Sequence, residues 1–539
     1  MNKSSCRSNF VGVMLASVRH SLIGVVATTV MLVISPAGAA QQHHHYKLID
    51  MGTLGGPQSY FSPGSGNDIA QYSHVLNERG EVAGLANTPL PDPFPPFCFD
   101  LGGDCFVTHA FEAHGSATLT DLGALASGVS SAATWISANG LIAGLSQNGE
   151  IDPLVPQFQF AENHAVLWQR GEIIDLGTLE GGYESYAAAV NSRGQVVGAA
   201  INTVPDPNSM GSFWLGPPFP FETRAFLWEK DKGMQDLGTL PGGTDAQATL
   251  INEAGQVVGW SYTGSTPLDP SLCLPGGAVL SLETGSFIWE KGKGMRDLGS
   301  FGGNCTIADD LNDRGQIVGG STLAGNQTIR AFLWDKGVMH DLGGSLGGAG
   351  ANTGAFAINA AGQAAGFACL VGIICHATLW KHIGELTDLG VIGTDQCGSY
   401  ATGINERLQI VGSSISSCTT FESRAFLWED GTMFDLNALI PPDSALYLQF
   451  TETINSRGEI AGTGSDVHGN THAFLLIPCD ENHPNIEGCD YSPVEGSTLA
   501  ANHPPAVAAE QNRLSAEDIS RIRALLMKRH HGFVPRAMH

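Results

Sequence analysis

The sequence predicts an all-β fold: an eight-bladed β-propeller of four-stranded blades, closed by pairing of its N- and C-terminal strands, with a short C-terminal α-helix. Three observations predict it. Between Tyr46 and Pro478 the chain repeats three phrases in fixed order: a run such as Arg224-Ala225-Phe226-Leu227-Trp228, then Asp236-Leu237-Gly238, then Asn252-x-x-Gly255-x-x-x-Gly259. Short β-prone segments bounded by Gly-containing turns fill this span, and helical periodicity is absent. The two ends of the array are each half a hairpin and complete one another. A single short unit cannot bury its apolar face without neighbours, so repetition at this scale dictates the architecture.

The first segment, residues 1–39, reads as a signal peptide. Basic residues up to Arg19 precede an apolar run from Leu22 to Ile34, then Pro36 and the small triplet Ala37-Gly38-Ala39. That run is too short to span a bilayer. Starting at Met14 instead of Met1 would give a more usual length; N-terminal sequencing of the unprocessed form distinguishes the two. No lipid-attachment cysteine follows. The expectation is secretion, or a periplasmic or cell-surface location, without membrane insertion.

Within the array the aromatic phrase begins at His109, His164, Arg224, Ser286, Arg330, His376, Arg424 and His472. Asp-Leu-Gly or a near form follows at Asp121, Asp175, Asp236, Asp297, Asp341, Asp388 and Asp435, and Asp50-Met51-Gly52 stands before them all. The third phrase recurs at Asn77, Asn139, Asn191, Asn252, Asn312, Asn359, Asn405 and Asn455, its second and seventh copies imperfect. Each unit reads as four strands. Phe226 to Trp228 returns through a Lys-Gly turn to Met234–Leu237. A Gly-Gly loop leads to a third strand, and the Asn252–Gly255 turn to a fourth. Tyr46 to Met51 lacks an aromatic partner and His472 to Ile477 lacks an Asp-Leu-Gly partner, so these two should pair and lock a ring. Seven blades or an open solenoid are the alternatives. The equivalent residues Trp168, Trp228, Trp289, Trp334, Trp380 and Trp428 read as core. The repeated Asp and the opening His or Arg read as ties between strands or blades, because eight copies cannot all be one active site.

This phrase set resembles the bacterial extracellular HAF repeat family, with His-Ala-Phe at His109-Ala110-Phe111 and His472-Ala473-Phe474. The resemblance covers residues 46–478. It implies an exported β-repeat protein and transfers no catalytic motif. Two units depart from the pattern: Ser286 and Ile288 replace the opening His/Arg and the Leu, and Ile136-Ser137-Ala138-Asn139-Gly140 alters the second turn.

Composition narrows the partners. The formal net charge is −26, and with residues 1–39 removed 23 basic residues face 52 acidic ones. Such a surface repels phosphate backbones, so no nucleic-acid partner is expected. Ten of the 11 cysteines lie beyond residue 39 and fall into close neighbours, read as disulfides in an exported chain: Cys98 and Cys105, Cys273 and Cys305, Cys369 and Cys375, Cys397 and Cys418, Cys479 and Cys489.

Strand direction sorts the loops onto two faces. One carries only tight turns. The other carries the Gly-Gly loops and the connections into each aromatic phrase, which are long at 85–108, 145–163, 199–223 and 260–285 and short in the other four units. Candidate ligand-binding residues on this face are Phe97, Phe158, Phe213 and Trp214 in the long loops, with Glu184, Asp245, Asp310 and Asp395 read as projecting from the Gly-Gly loops. The main reading is a secreted binding module for a small ligand, a glycan or cell-surface polymer, or a surface protein. The alternatives are a propeller hydrolase or lyase that attacks polysaccharide with loop carboxylates, and a structural surface protein without a discrete site. No catalytic residue, metal ligand or cofactor is assigned, although oxygen-rich loops could hold a structural divalent cation. A monomer is expected. After the array come a disulfide-bearing linker, residues 479–512, and a helix, residues 513–531, whose Ile519, Ile522, Leu525 and Leu526 form an apolar stripe.

Overall fold

The computed structural model describes residues 44–61, 74–95, 98–99, 105–115, 118–151, 153, 161–209, 221–267, 282–348, 350–371, 374–393, 397–415, 422–492 and 494. The expected signal peptide and C-terminal helix lie outside the described residues, as does most of the expected linker. Everything described is strand and turn, apart from one 3-10 turn at Leu436–Ala438. The architecture is all-β and β-propeller-like.

The described strands form six four-stranded sheets and one of eight. The larger one divides into two four-stranded halves, joined by a single parallel bridge between Thr284 and Cys305. A representative sheet runs Ser185–Val190, Val196–Pro205, Phe221–Glu229, Gly233–Asp236, antiparallel throughout. It is offset from the sequence repeat, because its first two strands belong to one copy of the phrases and its last two to the next. This offset is why the array starts and ends on half a hairpin. Tyr46–Asp50 pairs with Thr471–Pro478, in register from Tyr46↔Pro478 to Asp50↔Phe474.

The glycine pattern follows from how the first two strands meet. Seven first strands carry a bulge three residues before the turn, at Thr134, Ala188, Thr249, Asp309, Phe356, Thr402 and Glu452. The bulge bends the strand toward its neighbour. A Cβ at Gly198, the last Gly of its phrase, would lie 2.0 Å from the Tyr186 carbonyl oxygen. No side chain fits there.

The Asn turns link sheet to sheet. Asn252 Oδ1 accepts the Gln256 N–H at 3.0 Å, and its Nδ2 donates 3.2 Å to the Asn312 carbonyl in the next sheet. The same Nδ2 bond runs from Asn191 to Asn252, Asn312 to Asn359, Asn359 to Asn405, Asn405 to Asn455, and from Asn455 back to Asn77, all within 3.0–3.2 Å. The second copy corrects the sequence reading. Ser137, not Asn139, occupies the turn position, its carbonyl accepting the Gly140 N–H at 3.0 Å. Asn77 donates to the Ser137 carbonyl, and Asn139 Nδ2, displaced by two residues, reaches the Ser192 carbonyl at 2.8 Å.

The core lies between sheets. Trp168, Trp228, Trp334, Trp380 and Trp428 are buried and Trp289 partly so. Trp168 Nε1 donates to the Leu122 carbonyl at 3.1 Å and Trp380 Nε1 to that of Gly343 at 3.0 Å, each in the preceding sheet. In these two the ring buries its area and satisfies its one polar atom.

Candidate functional site on the projecting hairpins

Four hairpins are lengthened at one end of their sheets. Pairing continues to Pro91↔Phe106, Ile151↔Ala161, Pro205↔Phe221 and Pro267↔Leu282, beyond a register shift in each case. Much of what reads as loop in the sequence is therefore strand. Among the described residues, two other hairpins end their pairing without such an extension, at Thr322↔Ile329 and Ser465↔Thr471.

At the base of this end the recurrent His or Arg meets the recurrent Asp, seven times. His109, His164, His376 and His472 lie 2.9–3.0 Å from Asp121, Asp175, Asp388 and Asp50. Arg224, Arg330 and Arg424 lie 3.1–3.5 Å from Asp236, Asp341 and Asp435. Each Asp also accepts an N–H two residues on, as Asp236 does from Gly238 at 2.7 Å. The basic side chain then reaches the next sheet: His109 Nε2 lies 3.1 Å from the Val129 carbonyl, and Arg224 donates 3.2 Å to that of Thr244. Burial pushes the Asp121 carboxyl up, but its hydrogen bonds from His109 and Gly123 hold it below the ordinary range. The bond to Asp50 raises His472. These pairs are ties, as their repetition requires. The fourth unit corrects an alignment, because Phe287 opposes Asp297 as Phe226 opposes Asp236. Gly285, not Ser286, therefore takes the His/Arg position, and Ser286 instead accepts the Ala308 N–H at 2.7 Å.

Of the predicted binding residues, Phe97, Phe158, Phe213, Trp214 and Asp395 lie outside the described residues. Glu184 and Asp245 are on this end but do not project. They are 1% and 0% exposed, and each accepts a backbone N–H from the preceding sheet, Asn163 at 3.1 Å and Thr223 at 2.7 Å. Ser130 and Asn352 fill the same position and do the same for Thr108 and Ile329. The position needs an acceptor, and that need explains the two acids. Asp310 is at the opposite end. The strand Gly302–Leu311 begins at the Gly-Gly loop and carries it across the sheet, where its Oδ2 accepts the Ile358 N–H at 2.8 Å.

Disulfides join Cys98 to Cys105, Cys369 to Cys375 and Cys479 to Cys489. Cys305 and Cys397 are also disulfide-bonded; their expected partners Cys273 and Cys418 lie outside the described residues. No helix among the described residues is long and apolar enough to cross a membrane. Leu90 and Val204, on the first and third projecting hairpins, are 60% and 49% exposed.

Two features escaped the sequence reading. The projecting hairpins share an Asp-Pro step, at Asp92-Pro93, Asp152-Pro153, Asp206-Pro207 and Asp269-Pro270. In the first and third the Asp follows the last paired Pro and is buried. That step was legible as a repeat inside the loops. The second feature is Glu452, at a first-strand bulge. It keeps some exposed surface, but the protein around its carboxyl pushes it up to about 7. At the equivalent place in another unit His74 stacks on Trp135, with ring centroids 4.1 Å apart, and lies 3.9 Å from Asp310.

No family model matches the chain, and no curated protein does. Solved structures share parts of its shape. A dipeptidyl peptidase 4 from Porphyromonas gingivalis aligns over 76% of this chain at 9% identity with a TM-score of 0.40, and this chain spans 60% of its length. A gluconolactonase from Xanthomonas campestris aligns over 58% of this chain and 78% of its own at 11% identity, TM-score 0.26. The Hadza microbial sialidase Hz136 aligns over 59% and 73% at 8% identity, TM-score 0.28. Similarity at this level carries nothing about chemistry, and the fold rests on the strand pairing itself.

Proposed function

We propose that this chain is an exported, closed eight-bladed propeller over residues 46–478, akin to the HAF repeats it resembles. Its role in this reading is to bind a ligand, a glycan or cell-surface polymer, on the end bearing the four projecting hairpins. Closure is supported by the pairing of Tyr46–Asp50 with Thr471–Pro478 and by the bond from Asn455 back to Asn77. Export is supported by the disulfides, which persist in oxidising compartments.

One observation carries the binding role: four hairpins are lengthened past a register shift, their first strands reaching Pro91, Ile151, Pro205 and Pro267. These extensions bury some of their residues, Asp92, Ala161 and Asp206 among them. They also present exposed apolar side chains at low entropic cost, which is what a recognition surface needs. The test is binding of the mature protein to a glycan array and to envelope polymer. A Leu90→Asp/Val204→Asp variant with an unchanged melting temperature should lose that binding; full retention would sink this reading.

The alternative of a hydrolase or lyase acting on polysaccharide draws support from Glu452. A carboxyl held near neutrality suits a general acid. Glu184 and Asp245 do not serve this role, since both accept backbone hydrogen bonds while buried. Turnover of a polysaccharide by the wild type that Glu452→Gln abolishes would favour this second reading.

A further inference from the structure

The third projecting hairpin buries two carboxyl groups side by side. Asp206 follows Pro205, opens a turn closed by Ser209 N–H on its carbonyl at 3.2 Å, and is 6% exposed. Its Oδ1 accepts the Asn208 N–H at 2.7 Å, whereas Oδ2 is buried with no hydrogen-bond donor. Ser209 turns its hydroxyl to Asp245 Oδ1 at 3.3 Å and to Thr223 Oγ1, also at 3.3 Å. The Thr244 hydroxyl donates to Asp245 Oδ2 at 2.8 Å. Arg224 beside them is engaged elsewhere, with Asp236 at 3.1 Å, Glu222 at 3.6 Å and the Thr244 carbonyl.

Two carboxylates out of water and close together cost several kcal/mol unless a proton or a cation lies between them. Burial pushes the Asp206 carboxyl up, yet Thr244, the Asn208 N–H and Asp245 bring it below the ordinary aspartate range. Every donor in the cluster is a hard oxygen, which suits calcium and disfavours zinc or copper. The first hairpin is a built-in control. Asp92 Oδ1 and Oδ2 accept the Phe94 and Phe99 N–H groups at 2.9 and 3.1 Å, and neutral Ser130 stands where Asp245 does.

We infer that Asp206 and Asp245, with the hydroxyls of Ser209, Thr223 and Thr244, hold a calcium-class divalent cation that fastens the third hairpin to the following sheet. This goes beyond the binding role and does not depend on it.

The experiment uses the whole mature chain, stripped with EDTA and titrated calorimetrically with calcium chloride. Amide hydrogen exchange is followed in 199–209 and 221–229. Saturable binding in the micromolar to millimolar range is expected, with slowed exchange in both segments. Asp206→Asn should weaken it about tenfold or more, and Asp92→Asn should leave it unchanged. If Asp206→Asn does not fold, Ser209→Ala should still show weaker binding than wild type. Three results would overturn the assignment: no saturable binding at millimolar calcium, wild-type affinity in both the Asp206 and Ser209 variants, or a rise in melting temperature for Asp206→Asn in EDTA with no calcium effect on wild type. The last would mean that the pair shares a proton instead.

Discussion

In the first projecting hairpin, Asp92 spends both oxygens on backbone N–H groups, the acceptor beneath it is the neutral Ser130, and a disulfide from Cys98 to Cys105 closes the tip. In the third, residues 199–223 contain no cysteine, Asp206 keeps one oxygen without a donor, and the acceptor beneath it is Asp245. The two share strand register, the Asp-Pro step and the acceptor position. They differ in what fastens the tip: a covalent bond in one and, as inferred above, a cation in the other. A repeat dictates the backbone frame, and each copy is then free to solve its local entropy cost with different chemistry.

The most forceful way to break that contrast is to give the first hairpin the charge of the third. Ser130→Asp puts a carboxylate into a fully buried position. Asp92 has no spare oxygen to complete a cation site. The variant should lose about 3 kcal/mol, the cost of a buried charge without a counterpart, and calcium should not restore it. Chemical denaturation with and without calcium measures this. Restoration by calcium would mean that the frame alone makes the site, and the orphan oxygen of Asp206 would lose its significance.

Removing the covalent fastening comes next. The Cys98–Cys105 bridge spans a sequence separation of 7, so Cys98→Ser/Cys105→Ser should cost about 2–3 kcal/mol in the chain-entropy picture. The loss should be local. Amide exchange should accelerate in 81–91 and 106–114 and stay unchanged in the third hairpin. Equal acceleration in both would show that the hairpins support one another.

Glu452 sharpens the comparison from the other side, because here a crowded carboxyl has neither fastening. Its ordinary value is 4.5, and burial lifts it to about 7 in the folded chain. The folded state therefore holds the proton more tightly than the unfolded one. The resulting stability is fully present below about pH 4.5 and is lost as pH rises through 7. Glu452→Gln should be neutral near pH 4 and stabilising by about 1–2 kcal/mol at pH 8. Melting temperatures across that range check it, and a constant difference at every pH would refute the assignment.

Much of the frame is legible in the sequence, because its causes are local and repeated. The Asn turns, the glycines at close approaches, the Trp positions and the half-hairpins at both ends all follow from short-range stereochemistry. The candidate site is less legible. Glu184 and Asp245 read as exposed acids because loops are usually solvated, but a residue one place before a strand can point inward and satisfy a neighbour's N–H. Asp310 reads as a loop residue in sequence, but the Gly-Gly loop passes directly into a long strand that carries it to the opposite end. Gly285 offers no side chain to align on, and only the register of Phe287 opposite Asp297 assigns it to the His/Arg position. Glu452 gave no signal at all, since a bulge inside a β-run leaves no mark in the residue pattern.

The smallest effect tests the ties themselves, and a natural deletion supplies the reference. Asp236 faces Arg224 at 3.1 Å, whereas Asp297 faces Gly285 across the equivalent pair of strands, and each accepts an N–H two residues on at 2.7–2.8 Å. Replacing either by Ala removes that backbone bond; only Asp236→Ala also removes an ion pair. Since Asp236 is well exposed, the pair should contribute only about 0.5 kcal/mol. Asp236→Ala should therefore cost about 1 kcal/mol and Asp297→Ala about half as much. The gap between them should narrow in 1 M salt, because exposed charges are screened and a backbone hydrogen bond is not. Equal costs at low salt would mean that Arg224 serves the next sheet through the Thr244 carbonyl alone, and that the recurrent Asp exists to shape its own turn.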